Sequence, residues 1–144
     1  DKESPALDIG CGMGGLIKVL QGKGMRPIAL SPDRNQIKYI SEQYKDVKTF
    51  ECKFEDMPVA GYEQQFGTLI TSESLQYLQL DKALPLMDTL LKKGGRWIAC
   101  DYFKVGEATE KSGHNWAIFE EKLKAHGFKI CFRLCPHDRR NIKP

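Results

Sequence analysis

The chain has 144 residues, of which 41% are hydrophobic and 28% are charged. This length fits one domain that can hold a core without disulfide or metal support, and the composition excludes a disordered chain, a collagen and a coiled coil. The net charge of +3 is too small to argue for a nucleic-acid partner, and the absence of any run of about 18 apolar residues predicts no membrane insertion.

The predicted elements alternate between strands and helices along the chain. Short apolar runs predict strands at 5–9, 26–30, 47–52, 66–71, 96–103 and 128–135. Apolar residues at helical spacing predict helices at 14–21, 33–44, 78–91 and 116–126. Asp33 or Ser31 would cap the second helix, and Gly94-Gly95 would stop the third. This alternation implies the α/β class: a Rossmann-like, doubly wound, mostly parallel sheet.

The distribution of charge and the cysteine content bear on the partners and the redox compartment of the protein. Residues 122–144 hold seven Lys or Arg and one acid, a charge of +6, which leaves −3 for the rest. We interpret this stretch as a solvated face, with contact to an anionic substrate or partner as the alternative. Five cysteines without a Cys-x-x-Cys pair argue against a disulfide framework or a zinc site. We therefore expect a reducing, cytoplasmic compartment, no metal, and small core roles for Cys52 and Cys100. No secretory signal is visible.

The first predicted strand is followed by a glycine-rich turn. In a doubly wound sheet the ligand lies beyond the carboxyl ends of the strands, where this turn would be. Gly10, Gly12 and Gly15 satisfy the G-x-G-x-x-G pattern between a strand and a helix, which indicates a nucleotide-like cofactor. A dinucleotide fold would place an acid at the end of the second strand, whereas Ser31 stands there with Asp33 nearby.

Five segments resemble, in the right order, the motifs of class I S-adenosylmethionine (SAM)-dependent methyltransferases. They are LDIGCGMG at 7–14, ALSP at 29–32, FEDMP at 54–58, FGTLITSESL at 66–75 and LLKKGGRWI at 90–98. The resemblance implies that residues 1–144 are a single methyltransferase core domain with SAM as cofactor.

The resemblance also implies a set of cofactor-binding residues. The backbone of Gly10, Cys11, Gly12 and Gly14 would hold the methionine part, with Asp8 near its amino group. Ser31, or Gln36 in its place, would face the ribose. Phe54 would lie against adenine, with Glu55 or Asp56 near the exocyclic amine, and Ser72 and Glu73 would lie beside the sulfonium.

The chain departs from the family pattern at several points. Lys53 and Gly67 stand where the family usually has acids, and Leu75-Gln76-Tyr77 replaces the Phe-Glu-His segment of cyclopropane synthases, so we do not expect cyclopropanation. A seventh strand and helices before the first strand are also missing. We therefore expect a core that is truncated at both ends relative to the family.

Methyl transfer requires alignment of acceptor, methyl and sulfur, and a general base only if the acceptor must lose a proton. Glu73, Tyr102 and His114 are the catalytic candidates, together with Tyr77. Each has a structural alternative: His114 as a helix-start residue, Tyr102 as a core tyrosine and Tyr77 as a helix-packing residue. The loop 104–112 is expected to form part of the acceptor wall.

The leading hypothesis is methyl transfer from SAM to a small-molecule acceptor by in-line displacement. The alternatives are an NAD-dependent dehydrogenase and a catalytically inactive methyltransferase-like binding module. Nucleic acid is not expected as substrate, because no Asn-Pro-Pro-Tyr-like element follows the fourth strand. The sequence specifies neither the accepting atom nor the oligomeric state.

Overall fold

The computed structural model describes residues 2–106 and 113–133, which form a parallel sheet with helices on both faces. The strands of this sheet are β1 (Pro5–Ile9), β2 (Arg26–Ser31), β3 (Lys48–Glu51), β4 (Phe66–Ser72) and β5 (Leu91–Cys100). The helices are α1 (Gly15–Gly22), α2 (Arg34–Gln43), α3 (Leu80–Leu90) and α4 (Trp116–Ala125). Two short strands, β6 (Phe103–Lys104) and β7 (His114–Asn115), pair with each other outside the main sheet.

The order of the main sheet is β3-β2-β1-β4-β5, and every neighbouring pair is parallel. The chain winds from β1 outward to β3 and then returns to the other side of β1 to form β4. The crevice of a doubly wound sheet lies at such a reversal, beyond the ends of β1 and β4. Ile9 pairs with Leu30 on one side and Thr71 on the other, so the three central strands end close together. The predicted fold class is confirmed.

The core lies on both faces of the sheet because β1 alternates its side chains. Leu7 and Ile9 are buried in a large cluster with residues of α3 and α4. Ala6 faces the other way and packs with Leu20 of α1. Phe119 and Leu123 of α4 are buried as their helical spacing predicted.

The predicted boundaries fail mainly after residue 90. Strand β5 begins at Leu91 and ends at Cys100, so Gly94-Gly95 lies within this strand and does not stop the helix. The strand predicted at 128–135 is wrong for its described part, because 128–133 has no strand structure. The ring of Phe128 instead packs edge-on against Trp97, with centroids 6.1 Å apart. This contact covers part of the apolar side chain although the segment is not hydrogen-bonded as a strand. Cys135 and most of the basic tail lie outside the described residues.

The prediction for the strand cysteines is half right. Cys52 is half-buried against the main core, whereas Cys100 is exposed at the end of β5. Strand β5 is the edge of the main sheet in the described part of the chain, so its side chains have fewer neighbours than those of a central strand. Its position in the sheet order, which the local sequence does not show, explains the error.

Candidate functional site

The glycine turn after β1 is fastened to the neighbouring strand by its backbone. The amides of Gly10 and Cys11 both donate to the carbonyl of Leu30, at 2.8 and 3.1 Å. Gly10 has φ of 79°, and a Cβ at this position would lie 2.5 Å from the Cβ of Ser74. Glycine is therefore required here by both backbone conformation and space.

Beyond Gly10 the turn opens toward the crevice. Gly12 has φ of 52°, and a Cβ placed on it would meet no atom within 4 Å. Gly14 occupies the N-cap position of α1 and has no side chain that could bond to the first-turn amides. A ligand can therefore approach the backbone of this turn and the amides at the start of α1 closely.

Asp8 lies directly under the glycine turn and is 2% exposed. Its Oδ2 atom has no hydrogen-bond partner within the described part of the chain. Burial raises the pKa of the Asp8 carboxyl from 3.8 to about 6. Burial, followed by the charge of Asp8, raises the pKa of the Cys11 thiol to about 12, so this thiol is a poor nucleophile. An unpartnered buried carboxylate is costly unless a cation or donor completes it.

At the end of β2, Ser31 is held in a polar turn and is 2% exposed. Its hydroxyl donates to Oε1 of Gln36 at 2.7 Å and accepts from the amide of Asp33 at 3.0 Å. The Asp33 carboxylate accepts from the amides of Asn35 and Gln36, so it is Asp33 that caps α2. The structure thus links Ser31 with Gln36, and the two form one polar position.

The segment after β3 holds the residues predicted to contact adenine. Phe54 begins a 3-10 turn (Phe54–Asp56) and is only 1% exposed, since its ring packs in the main core. The contact of Phe54 with adenine stays a prediction. Glu55 accepts a hydrogen bond from the amide of Gln79 at 2.7 Å, which fixes the approach to α3.

The end of β4 and the two residues that follow it, Glu73 and Ser74, connect this strand to its neighbours. Ser72 is exposed, and Glu73 has φ of 55°, an unusual conformation for a residue with a side chain. The amide of Glu73 donates to the carbonyl of Cys100 at 2.8 Å, which ties β4 to β5 at this edge. The hydroxyl of Ser74 donates to the carbonyl of Ile9 at 2.5 Å and so joins β4 to the glycine turn. Strained backbone of this kind is concentrated at functional sites.

His114 on β7 reaches the same edge. Its Nε2 lies 2.9 Å from the carbonyl oxygen of Leu75. Because a carbonyl only accepts, Nε2 must carry the proton in this contact, which leaves Nδ1 of a neutral ring as the acceptor. His114 is therefore connected to the glycine turn through two neighbouring residues, Leu75 and Ser74.

Neither of the two tyrosine candidates has the structural role that was considered as its alternative. Tyr77 is 78% exposed and Tyr102 is 48% exposed, so neither is a packed core residue. The ring of Tyr102 lies against Gly113, where a Cβ would come within 2.8 Å of Cε2. Asp101 accepts from the amides of Tyr102 and Gln76, and thereby joins the end of β5 to the turn after β4.

The structure brings most of the predicted residues to one sheet edge. The residues at this edge are Asp8, Gly10, Cys11, Gly12, Gly14, Ser31, Ser72, Glu73, Tyr102 and His114. Sequence reasoning missed Ser74, whose only signal was a small polar residue directly after the fourth strand. It also missed Gly113, whose positive φ of 86° the sequence could not reveal. Residues 107–112 of the expected acceptor loop lie outside the described residues.

Residues 7–99 match the sequence model of a family described as "Methyltransferase domain", and this match spans more than half of the chain. The chain belongs to the methyltransferase domain family. The resemblance to class I SAM-dependent methyltransferases is thereby confirmed.

Individual relatives agree with this assignment. An uncharacterised methyltransferase from Alkaliphilus oremlandii (strain OhILAs) is 26% identical over 103 residues, which cover 69% of this chain and 46% of that protein. A geranyl diphosphate C-methyltransferase from Streptomyces coelicolor A3(2), solved with Mg²⁺, geranyl diphosphate and S-adenosyl-L-homocysteine, has a TM-score of 0.73 at 17% identity. That comparison covers 85% of this chain and 53% of the other. YcgJ from Bacillus subtilis has a TM-score of 0.75 at 14% identity over 85% of this chain and 61% of its own.

The structural similarities and the family match support different conclusions. The structural relatives are too distant in sequence to show more than the fold, whereas the family match concerns the sequence itself. The chain spans about half the length of the first relatives, 46% and 53%. Across the described residues, no helix has both the length and the apolar character to cross a membrane.

Proposed function

We propose that this chain is the SAM-binding core of a methyltransferase that transfers a methyl group to a small-molecule acceptor by in-line displacement. The observation that carries the proposal is Asp8, a buried carboxylate beneath an open glycine turn, whose Oδ2 atom has no hydrogen-bond partner among the residues that the structure describes. The family assignment of residues 7–99 supports it independently. Structural relatives solved with SAM or S-adenosyl-L-homocysteine support the choice of cofactor.

The residues present fit the methionine end of SAM. A cationic ammonium group matches the Oδ2 atom of Asp8, which lacks a hydrogen-bond partner in the described part of the chain, and the open side of Gly12 leaves room against the backbone. The linked pair of Ser31 and Gln36 is the polar position proposed for the ribose. The turn that begins at Phe54 is proposed to lie at adenine, with Glu55 or Asp56 near the exocyclic amine. Ser72 and Glu73 would border the reacting end. When bound, SAM supplies an activated methyl group on a sulfonium sulfur.

The chain's own contribution would be alignment and, where the acceptor requires it, removal of a proton. Glu73 and Tyr102 stand at the exits of β4 and β5 and are proposed to orient the acceptor. His114 holds its Nε2 proton on the Leu75 carbonyl, so its Nδ1 is the atom proposed to take a proton from the acceptor.

The dehydrogenase alternative has less support. It would need a free acid after β2 for the ribose hydroxyls. Asp33, the nearest acid, uses its carboxylate to cap α2.

A small-molecule acceptor is favoured by the relative that is solved with geranyl diphosphate. The free thiols of Cys11, Cys52, Cys100 and Cys131 support the proposal of a reducing, cytoplasmic location.

Calorimetric titration with SAM, S-adenosyl-L-homocysteine and NADH tests the proposal. We expect heat with the first two ligands and none with NADH. Asp8→Asn should remove the heat for SAM, whereas Asp88→Asn, at an exposed position of α3, should not. Binding of NADH alone would support the dehydrogenase. Binding of SAM without methyl transfer to any acceptor, in the chain extended to the length of its relatives, would support an inactive binding module.

A further inference from the structure

Ser31 and Gln36 form a polar pair directly beside the glycine turn. The carbonyl of Leu30 accepts hydrogen bonds from the amides of Gly10 and Cys11, and Ser31 is the next residue along β2. The hydroxyl of Ser31 bonds to the side chain of Gln36, in the first turn of α2, at 2.7 Å. A ligand that extends from the glycine turn toward β2 therefore reaches this pair.

The hydrogen bonds of Ser31 fix the orientation of the Gln36 side-chain amide. The backbone N–H of Asp33 can only donate, so the Ser31 oxygen accepts from it, at 3.0 Å. Ser31 is 2% exposed, so its own O–H needs an acceptor within the protein, and that acceptor is Oε1 of Gln36. The reverse orientation would place Nε2 against Ser31 and leave the buried O–H without an acceptor. The carbonyl end of the amide is therefore engaged, and Nε2 is the end that can donate to a ligand.

Helix capping alone does not explain the placement of the Gln36 side chain. Gln at the third position of a helix typically bonds back to the backbone N–H of the N-cap residue, here Asp33. In this chain the Ser31 oxygen holds that N–H instead. The Asp33 carboxylate caps α2 by accepting from the backbone amides of Asn35 and Gln36. The side chain of Gln36 is thus free of the capping contact and bonds to the end of β2.

From this orientation we propose that Gln36 determines which nucleosides the site accepts, because its Nε2 donates to an oxygen of the ligand's ribose. The inference rests on the proposed function, which places the ribose at this pair. A carboxylate after the second strand, as in dinucleotide folds, accepts from ribose hydroxyls and therefore requires their hydrogens. An amide N–H requires only an acceptor oxygen. The site should therefore accept a ribose in which this oxygen is methylated, and bind more weakly when the oxygen is removed.

The variant Gln36→Glu reverses the sense of this hydrogen bond. One oxygen of the new carboxylate can still accept from the Ser31 hydroxyl, and the other can accept but not donate. Hydrogen bonds from hydroxyls to a carboxylate are stronger than those between neutral groups, so affinity for S-adenosyl-L-homocysteine should rise about three- to tenfold. The matched control is Asn35→Asp, which adds the same charge at an exposed neighbouring position of the same helical turn and should leave affinity unchanged.

The measurement is calorimetric titration with S-adenosyl-L-homocysteine and its 2′-deoxy, 3′-deoxy, 2′-O-methyl and 3′-O-methyl analogues. In the wild type, one deoxy analogue should bind about three- to tenfold more weakly, whereas the methyl ether at the same position should bind within about threefold of the parent. In Q36E that ether should bind at least about tenfold more weakly than the parent. The bulk of the methyl group is the same in both proteins, so the difference between them reports the hydrogen bond. N35D should behave as the wild type.

The outcomes separate this inference from the proposed function. If S-adenosyl-L-homocysteine binds but its preference over the ethers is equal in the wild type and Q36E, the proposed function stands and this inference fails. Failure of both ethers to bind the wild type would overturn it too. A change in the free energy of unfolding in Q36E, with every ratio of affinities unchanged, would show that Gln36 only supports α2. If neither SAM nor S-adenosyl-L-homocysteine binds, the proposed function fails, and this inference with it.

Discussion

Ser74 occupies the space that a side chain at residue 10 would need. Its hydroxyl donates to the carbonyl of Ile9 at 2.5 Å, and a Cβ on Gly10 would lie 2.5 Å from the Cβ of Ser74. The contact joins the ends of β1 and β4, the two strands that border the crevice. Gly10→Ala should therefore destabilise the fold by more than about 2 kcal/mol, from steric overlap and positive φ together. Urea denaturation measures this loss.

The double variant Gly10→Ala/Ser74→Gly isolates the steric part of that loss. Ser74→Gly by itself should cost at least about 1–2 kcal/mol, because the buried carbonyl of Ile9 loses its donor. The double variant should be more stable than the sum of its single variants predicts, since Ser74→Gly vacates the space. Strictly additive losses would show that the two residues do not compete for one space.

Gly12 should affect cofactor binding more than stability. A Cβ at Gly12 meets no protein atom, so Gly12→Ala should cost only about 1–2 kcal/mol for its positive φ. The added methyl group would stand on the open side of the turn, and affinity for SAM should fall at least about tenfold. Gly61 is a matched control, because it has φ of 83° and an equally open Cβ position. Gly61→Ala should show a similar loss of stability and unchanged affinity; equal losses of affinity in both variants would contradict the cofactor position.

Asp8 should make the stability of the ligand-free protein depend on pH. Its folded-state pKa of about 6 lies above the ordinary value of 3.8, so the folded state binds this proton more tightly than the unfolded state. The charged form therefore destabilises the fold as pH rises from about 4 through 6. Asp8→Asn should raise the free energy of unfolding by on the order of 1–3 kcal/mol at pH 7.5 and change it little at pH 4. Urea denaturation at both pH values checks this difference, with Asp88→Asn as the control.

The same carboxylate should make cofactor affinity depend on pH in the opposite direction. A cationic ligand group beside Asp8 favours its ionised form, so affinity should fall as pH falls below about 6. S-adenosyl-L-homocysteine keeps the ammonium group but lacks the sulfonium charge. Equal pH dependence for it and for SAM would place the ammonium at Asp8, whereas a dependence confined to SAM would place the sulfonium there. Calorimetry at pH 5, 6 and 7.5 measures both.

The sequence predicted those parts of the molecule that local signals determine. Residues within one turn or helix determine the glycine turn after β1 and the apolar stripe of α4. The cap of α2 was predicted at Asp33 or Ser31, and the structure shows Asp33. The crevice followed from strand alternation, because parallel strands place all their carboxyl ends at one edge.

The remaining features depend on contacts between distant residues. Cys100 is exposed because β5 is an edge strand in the described part of the chain, and Phe54 is enclosed because its turn packs against α3 in the main core. The pairing of Phe103 with His114, which brings His114 to the site, involves two residues on each side and has no periodicity to detect. The roles of Ser74 and Gly113 come from their close contacts with Gly10 and Tyr102, from which they are separated in the sequence.

Glu73 should show a conflict between stability and activity. Its φ of 55° is unfavourable for a residue with a Cβ, and glycine relieves this strain. Glu73→Gly should therefore leave stability unchanged or raise it by up to about 1 kcal/mol, while methyl transfer falls. Glu73→Gln keeps the length and the backbone strain but removes the charge. Loss of kcat in both variants would indicate that the carboxylate acts on the acceptor; full activity in both would show that the carboxylate has no role in methyl transfer.

His114 is the residue that we expect to act as a general base if the reaction needs one. Gln at this position can still donate to the carbonyl of Leu75 but has no nitrogen lone pair that takes a proton. If the acceptor must be deprotonated by His114, His114→Gln should lower kcat about 10²- to 10⁴-fold with little change in the affinity for SAM. His114→Phe removes the donor as well and should also destabilise the fold, by about 1 kcal/mol. Single-turnover methyl transfer with S-methyl-labelled SAM separates the chemical step from binding. Equal kcat in wild type and His114→Gln would exclude the proton-transfer role, because only the structural hydrogen bond is common to both.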